Sequence, residues 1–261
     1  MSFSLDQFRL DGKVAIVTGA GGRGNSIGRA YAMGLANAGA AVVVADLNEA
    51  GAKAVADEIV SAGGKAIGVR VDVADKASTE AMAAAAVAAF GGIDILVNNA
   101  ALMAELGNML CENIDLADWR KVFSVNLDGA LLCAQAVIPS MRTRGGGSII
   151  NQTSGGAFPA TGVYGVSKLA LVGLTTTLAK QLGRDNIKVN AIAPGNVTSD
   201  AGKALVPDDS PFIQFLQATC ATRPRGEPDE LVGALLLLCS PAGEWISGQT
   251  IHIDGGWVMR P

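Results

Sequence analysis

Seven short runs rich in β-branched and apolar residues recur along this chain. They are VAIVT (14–18), AVVVAD (41–46), AIGVRVDV (66–73), IDILVNN (93–99), GSIINQT (147–153), IKVNAIAP (187–194) and QTIHID (249–254). Most are apolar at successive positions rather than alternate ones. A strand with one wet face must alternate, because successive side chains point to opposite faces of the sheet. Continuous runs belong to strands covered on both faces, as happens when helices cross over a parallel sheet. Helical stretches fill the intervals, near 27–38, 48–62, 76–90, 118–142, 162–184 and 228–240. The alternation predicts an α/β fold, a doubly wound parallel sheet of about seven strands with helices on both faces. Residues 1–261 read as one domain, with no linker, repeat or low-complexity tract.

Residues 199–222 interrupt the alternation. They mix turn formers with Phe212, Phe215 and Leu216. Such a segment is either a lid over a ligand site or a surface helix with its apolar face tucked in.

The totals exclude some functions. Net charge is −4 and no basic run occurs, so nucleic acid is not an expected partner. Only 17% of residues are charged, which points to surface buried between subunits. The four cysteines (111, 133, 220 and 239) form no CxxC pair, and the one histidine is His252, so no metal site is expected. The cysteines read as reduced core residues. The segment MSFSLDQFRLDGK lacks an apolar signal core, and no run of about 18 apolar residues follows. A soluble, cytoplasmic protein without a membrane partner is the expectation.

The first strand leads into Thr18-Gly19 and a glycine-rich loop that closes at Ser26-Ile27-Gly28 before a helix. Glycines let the backbone approach a pyrophosphate, and the helix end supplies free N–H groups and a favourable dipole. Asp46 ends the second strand, where a carboxylate can accept from both hydroxyls of an adenosine ribose. Its charge would repel a 2′-phosphate, and Leu47 rather than arginine follows it. NAD is therefore favoured over NADP, although Arg23 in the loop could reach such a phosphate. Asp46 has a second possible role, as N-cap of the helix beginning near Asn48.

Tyr164 and Lys168 lie four residues apart in YGVSK, on one helix face. Tyrosine titrates near ~10, so a fixed cation one turn away would help it act as an acid/base at neutral pH. Ser154, ten residues earlier in NQTSGG, could bind the oxygen that exchanges the proton. Ser148 falls mid-strand, and Thr153 should point the opposite way. His252 reads as a strand side chain and Asp254 as a turn former.

With these motifs in order, the chain resembles the short-chain dehydrogenase/reductase family over essentially its whole length. The matching positions are the loop from Gly19 to Gly28, Asp72-Val73 after the third strand, Asn98-Asn99-Ala100 after the fourth, and Asn126 in VNLDG. Ser154, Tyr164, Lys168, Pro194-Gly195 with Val197 and Thr198, and the closing SGQTIHIDGGW complete the set. The resemblance implies NAD-linked hydride transfer with Tyr164 as acid/base. Lys168 would tune Tyr164 and hold the nicotinamide ribose, Ser154 would position the substrate oxygen, and Asn126 would hold a water in a proton relay. Asp72 and Val73 would lie against the adenine. Asn99, Ala100, Pro194, Gly195, Val197 and Thr198 would line the nicotinamide half, with Thr198 on the carboxamide. It also implies a homotetramer pairing the helices at 118–142 and 162–184 and the C-terminal strands.

Three departures stand out. The glycine loop is longer than usual and has Ser26 in place of a glycine, similar to the divergent enoyl reductases. The serine-to-tyrosine interval is short, leaving GGAFPATGV beside the reacting atoms. Ala101 replaces the last glycine of NNAG. Apolar residues near the expected cleft (Leu102, Met103, Phe158, Phe212 and Phe215) suggest a largely apolar secondary alcohol or ketone as substrate. A cyclic alcohol, a steroid-like compound or a fatty acyl chain would fit. Competing readings are an NADPH-linked 3-ketoacyl reductase, an enoyl reductase, and a dinucleotide-binding regulator without catalysis.

Overall fold

Parallel pairing runs through the whole sheet, as the apolar runs predict. The computed structural model describes residues 4–22, 24–103, 110–159 and 162–259. Its strands are β1 (Val14–Thr18), β2 (Ala41–Asp46), β3 (Lys65–Arg70), β4 (Ile95–Asn98), β5 (Gly147–Gln152), β6 (Ile187–Pro194) and β7 (Thr250–Ile253). They form one seven-stranded sheet in the order β3-β2-β1-β4-β5-β6-β7, and every neighbouring pair is parallel. The order reverses between β1 and β4. Chains leaving those strands diverge there and open a crevice at the carboxyl edge, the usual place for a ligand in such sheets.

The helices are α1 (Ile27–Asn37), α2 (Glu49–Ser61), α3 (Lys76–Phe90), α4 (Leu116–Phe123), α5 (Gly129–Thr143), α6 (Gly162–Leu182), α7 (Asp200–Leu205), α8 (Pro211–Thr219) and α9 (Val232–Cys239). Several begin where a side chain accepts an orphan N–H: Ser26 from Arg29, Asn48 from Gly51 and Asp75 from Ser78. Asn48 is thus the cap of α2, and Asp46 is not. On one face of the sheet α1, α2 and α9 bury Leu35, Ile59 and Leu235. On the other, α3, α5 and α6 bury Met82, Val137 and Leu178.

Three expected elements differ. The run 66–73 is a strand only to Arg70, because Asp72 leaves the sheet, its amide donating to the Ser78 hydroxyl of α3. The stretch 118–142 is two helices joined by a π-helical turn at Ser124–Asp128. Segment 199–222 holds α7 and α8. Helices spanning Leu116–Thr143 and Gly162–Asp185 are long and apolar enough to cross a membrane (mean hydropathy 1.4 and 1.2). Their inward faces are spent on the sheet, through Cys133, Val137 and Met141 and through Leu171, Leu178 and Leu182. Of the cysteines, Cys133 and Cys239 are buried, Cys220 is half-buried and Cys111 is exposed, so only two are core residues.

Candidate active site

The carboxyl edge of β1 is built from backbone held by a neighbouring asparagine. Asn99, just past β4, donates from Nδ2 to the carbonyls of Thr18 and Gly19, both at 2.9 Å. The Thr18 hydroxyl accepts from the amides of Asn99 (3.1 Å) and Ala100 (3.2 Å). A Cβ on Gly19, which has φ +65°, would come within 2.7 Å of Ala100. A Cβ on Gly28 would strike the Gly19 carbonyl, so glycine there lets α1 start close against β1. Ser26 caps α1 through the Arg29 amide at 3.2 Å, leaving the amides of Ile27 and Gly28 at the open helix end. Ser26 therefore replaces a glycine with a hydroxyl that organises the same helix terminus. Arg23 lies outside the described residues.

Asp46 sits across the loop at the end of β2. It accepts from the Gly21 amide through Oδ2 and from the Asn48 amide through Oδ1, both at 2.8 Å. Each carboxylate oxygen keeps a further lone pair, so these bonds fix the carboxylate without using it up. Leu47 beside it is 59% exposed. Farther along the crevice, Asp72 accepts from the Ala74 amide, and Val73 is buried against the start of α5, where a Cβ on Gly129 would meet it. A glycine loop, an open helix end and a half-buried carboxylate in line fit a dinucleotide.

The residues expected to handle the proton converge where β5 meets α6. Ser154 follows β5, and its hydroxyl accepts from the Gly156 amide at 3.1 Å while lying close enough to Tyr164 to lower the pKa of that phenol. Thr153 points elsewhere, donating to the Ile192 carbonyl, and Ser148 is buried within β5. Lys168 is 1% exposed. Its ammonium donates to the Gln152 carbonyl at 2.8 Å and lies 5.7 Å from the centre of the Tyr164 ring. Burial pushes Tyr164 up to about 12, and the Ser154 hydroxyl pulls it partly back. Burial brings Lys168 down to about 7. Both shifts favour neutral forms, so Lys168 by its position alone does not give a phenolate, contrary to the expectation from spacing.

Asn126 stands in the π-helical turn and is 1% exposed. Its Oδ1 accepts from the Leu102 amide (2.8 Å), and its Nδ2 donates to the Leu102 carbonyl (3.1 Å) and to Ser167 (3.0 Å). Its side chain is a brace between the segment after β4 and α6. A cavity of about 10 Å³ lies beside it among Thr18, Asn98, Ala100 and Asn126, near the lower limit for one water.

At the end of β6, Gly195 donates to the Ile253 carbonyl at 2.9 Å, and a Cβ there would meet Asp254. Val197 bridges to Gly226, and the Thr198 hydroxyl bonds Glu227. Two contacts are not written in any motif. The loop residue Asn25 and Asp200 exchange bonds: the Asn25 amide donates to Asp200 Oδ2 (3.1 Å), and the Asp200 amide donates to the Asn25 carbonyl (2.9 Å). The extra length of the glycine loop thus reaches the root of segment 199–222. In addition, Trp257 from the C-terminal turn stands against Gly155 and edge-on to Phe212 of α8, at 5.7 Å between ring centres. The only sequence sign of the first was the unusual loop length, and of the second the glycine after Ser154.

Comparisons agree with this geometry. A family model described as enoyl-(acyl carrier protein) reductase matches residues 22–258. The chain is 48% identical to an uncharacterized oxidoreductase of Mycobacterium tuberculosis H37Rv, over 96% of this chain and 99% of that one. It is 40% identical to 7α-hydroxysteroid dehydrogenase of Escherichia coli K12, covering 99% of each. Among solved structures, a 7α-hydroxysteroid dehydrogenase complexed with NADH and 7-oxo glycochenodeoxycholic acid superposes with a TM-score of 0.90, at 38% identity and 98% coverage of both chains. A gluconate 5-dehydrogenase of Burkholderia cenocepacia in complex with NADP and tartrate gives the same three values. The chain belongs to the short-chain dehydrogenase/reductase family, as an oxidoreductase acting on CH–OH groups with a nicotinamide dinucleotide.

Proposed function

We propose that the protein interconverts a largely apolar secondary alcohol and its ketone with NAD(H), using Tyr164 as acid/base. The observation that carries this is the convergence of Ser154 and Tyr164 beside the buried Lys168, whose ammonium lies 5.7 Å from the centre of the Tyr164 ring. When bound, the nicotinamide supplies the hydride acceptor and, oxidised, a positive charge near the phenol. Ser154 holds the substrate oxygen. Tyr164 takes the hydroxyl proton on oxidation and returns it to the carbonyl oxygen on reduction. Since burial holds Tyr164 in its protonated form, reduction finds its acid ready at neutral pH, and oxidation gains as pH rises toward about 12.

Lys168 holds the nicotinamide ribose, and its pKa near 7 makes it a proton carrier at neutral pH. Asn126, bonded to Leu102 and Ser167, would hold a water of the relay in the water-sized space beside it. Thr198, tied to Glu227, shapes the carboxamide end with the backbone of Pro194, Gly195 and Val197.

Asp46 supports NAD, because its fixed carboxylate would meet a 2′-phosphate with like charge. Leu47, exposed beside it, would cover the adenosine. Segment 199–222 acts as the lid: α8 buries Ile213 and Leu216 while Phe212 reaches Trp257. Exposed Leu116, Val166 and Leu169 on α4 and α6 support assembly into a homotetramer, which light scattering would show as four times the chain mass.

The test is a panel of secondary alcohols, acyclic to bicyclic, with NAD and NADP, followed by absorbance of the reduced nicotinamide. Higher kcat/KM with NAD and with larger apolar alcohols is expected. A preference for NADP would mean that Arg23 outweighs Asp46.

A further inference from the structure

Trp257 belongs to the C-terminal turn and to none of the motifs that carry the chemistry. Two contacts place it. A Cβ on Gly155 would lie 3.0 Å from two atoms of the indole and 3.3 Å from the Pro194 carbonyl. Gly155 directly follows Ser154, so the indole stands at the backbone that presents the serine hydroxyl, and glycine is what admits it. Phe212 of α8 meets the indole edge-on.

The turn itself is clamped. Asp254 accepts from the Gly256 amide (3.0 Å) and the Val258 amide (2.9 Å), and the Thr222 amide donates to the Gly255 carbonyl at 2.9 Å. Gly255 and Gly256 have φ of +68° and +77°, which glycine alone adopts freely. The indole is half-buried rather than sunk in the core. The same strand end also anchors the loop after Ser154, since His252 packs on Phe158 with ring centres 4.7 Å apart.

We propose that Trp257 is the fixed wall of the substrate pocket and the residue that selects ring-bearing over short acyclic alcohols, an inference resting on the alcohol reading above. A clamped indole offers a broad apolar surface at little cost in side-chain entropy. It stands one residue from the hydroxyl that positions the reacting oxygen. A rigid ring held at that oxygen can reach the wall, whereas a short flexible chain leaves it uncovered. Phe212, carried by α8, closes on the wall from the other side.

The experiment compares wild type, Trp257→Phe and Trp257→Ala on 2-decalol, a bicyclic secondary alcohol, and on 2-butanol, with KM for NAD measured alongside. Wild type should prefer 2-decalol. Trp257→Ala should lower kcat/KM for 2-decalol about tenfold or more and change 2-butanol by less than about threefold, with KM for NAD unmoved. Trp257→Phe, which keeps an aromatic ring, should fall between. A parallel fall for both alcohols, a raised KM for NAD, or unchanged discrimination would overturn the wall. If wild type oxidises neither alcohol with NAD or NADP, the alcohol reading fails, and calorimetric binding of 2-decalone to the NAD complex decides the wall. Binding weakened about tenfold in Trp257→Ala sustains it. No binding to wild type, or equal binding to both proteins, overturns it.

Discussion

The glycine loop at one side of the crevice and segment 199–222 at the other are held by different kinds of contact. Around the loop almost every bond is short and polar: Asn99 to the Thr18 and Gly19 carbonyls, Gly21 to Asp46, and Arg29 to Ser26. Segment 199–222 has two short helices, an apolar face built on Ile213 and Leu216, and aromatic contacts from Phe212 to Phe215 and Trp257. Hydrogen bonds fix angles, and each one lost leaves an orphan group. Apolar contacts fix an area and tolerate sliding. A cofactor common to many substrates suits the first, and a substrate pocket that varies suits the second.

Removing a reacting group should separate the two regions most sharply. Tyr164→Phe should lower kcat by about 10²–10⁴, the usual worth of a positioned acid/base, while the dissociation constant for NAD(H) stays within about twofold of wild type because the loop is untouched. Fluorescence titration with NADH beside steady-state rates checks both. Turnover near wild type would remove Tyr164 from the chemistry. Next in size is Asp46→Ala, on the nucleotide side. It removes the proposed ribose acceptor and frees the Gly21 and Asn48 amides, at about 1–3 kcal/mol for such losses, or about 5- to 150-fold in KM for NAD. KM for NADP should rise much less, because the like charge also goes. An equal rise for both cofactors would make Asp46 a brace only.

The same contrast explains what the amino-acid order revealed. Thr18-Gly19, Ser26-Ile27-Gly28, Asp46 and Asn99 act through local backbone demands, so residue type and spacing identify them. β1, β2 and β6 likewise fall where their continuous apolar runs lie, because burial on both faces leaves a pattern. The π-helical turn at Asn126 leaves none, since a one-residue widening inside an amphipathic stretch hardly alters its periodicity. Trp257 against Gly155, and Asn25 against Asp200, join residues about 100 and 175 positions apart, and no local window contains such a pair. The electrostatics also needed the fold. Spacing put Lys168 near Tyr164, but burial of both, which sets the direction of each shift, belongs to the packed site.

That burial can be read as stability. Lysine in an unfolded chain titrates near ~10.4, while folded Lys168 titrates at about 7. Between those values the unfolded chain holds a proton that the folded one lacks, so this residue makes stability rise with pH across that window. Tyr164 acts oppositely, but only above ~10, where unfolded tyrosine loses its proton. Buried Cys133 and Cys239, pushed up to about 12, oppose the rise once unfolded cysteine ionises near ~8.5, so urea midpoints at about pH 7 and about pH 8 isolate Lys168. Lys168→Met should flatten the rise seen in wild type. The slope is diagnostic rather than the absolute value, because losing the bond to the Gln152 carbonyl itself costs about 1–3 kcal/mol. Parallel slopes would mean that Lys168 stays protonated throughout.

The smallest effect should come from the one place where the two regions touch. Asp200 begins α7 and accepts from the Asn25 amide, and glycine at 24 leaves room for its carboxylate. Asp200→Ala removes that acceptor but keeps the Asp200 amide bonded to the Asn25 carbonyl. A single exposed bond of this kind is worth about 0.5–1.5 kcal/mol, so KM for NAD should rise about 2- to 10-fold while kcat changes little. If the latch ties the loop to the lid, Asn25→Pro, which removes the amide that donates to Asp200, should raise KM by a similar factor, and the double variant by less than the product of the two. Residues that share a contact couple by at least about 0.5 kcal/mol. A double variant equal to that product, or a fall in melting temperature with KM unmoved, would mean that the polar loop and the apolar lid are held independently.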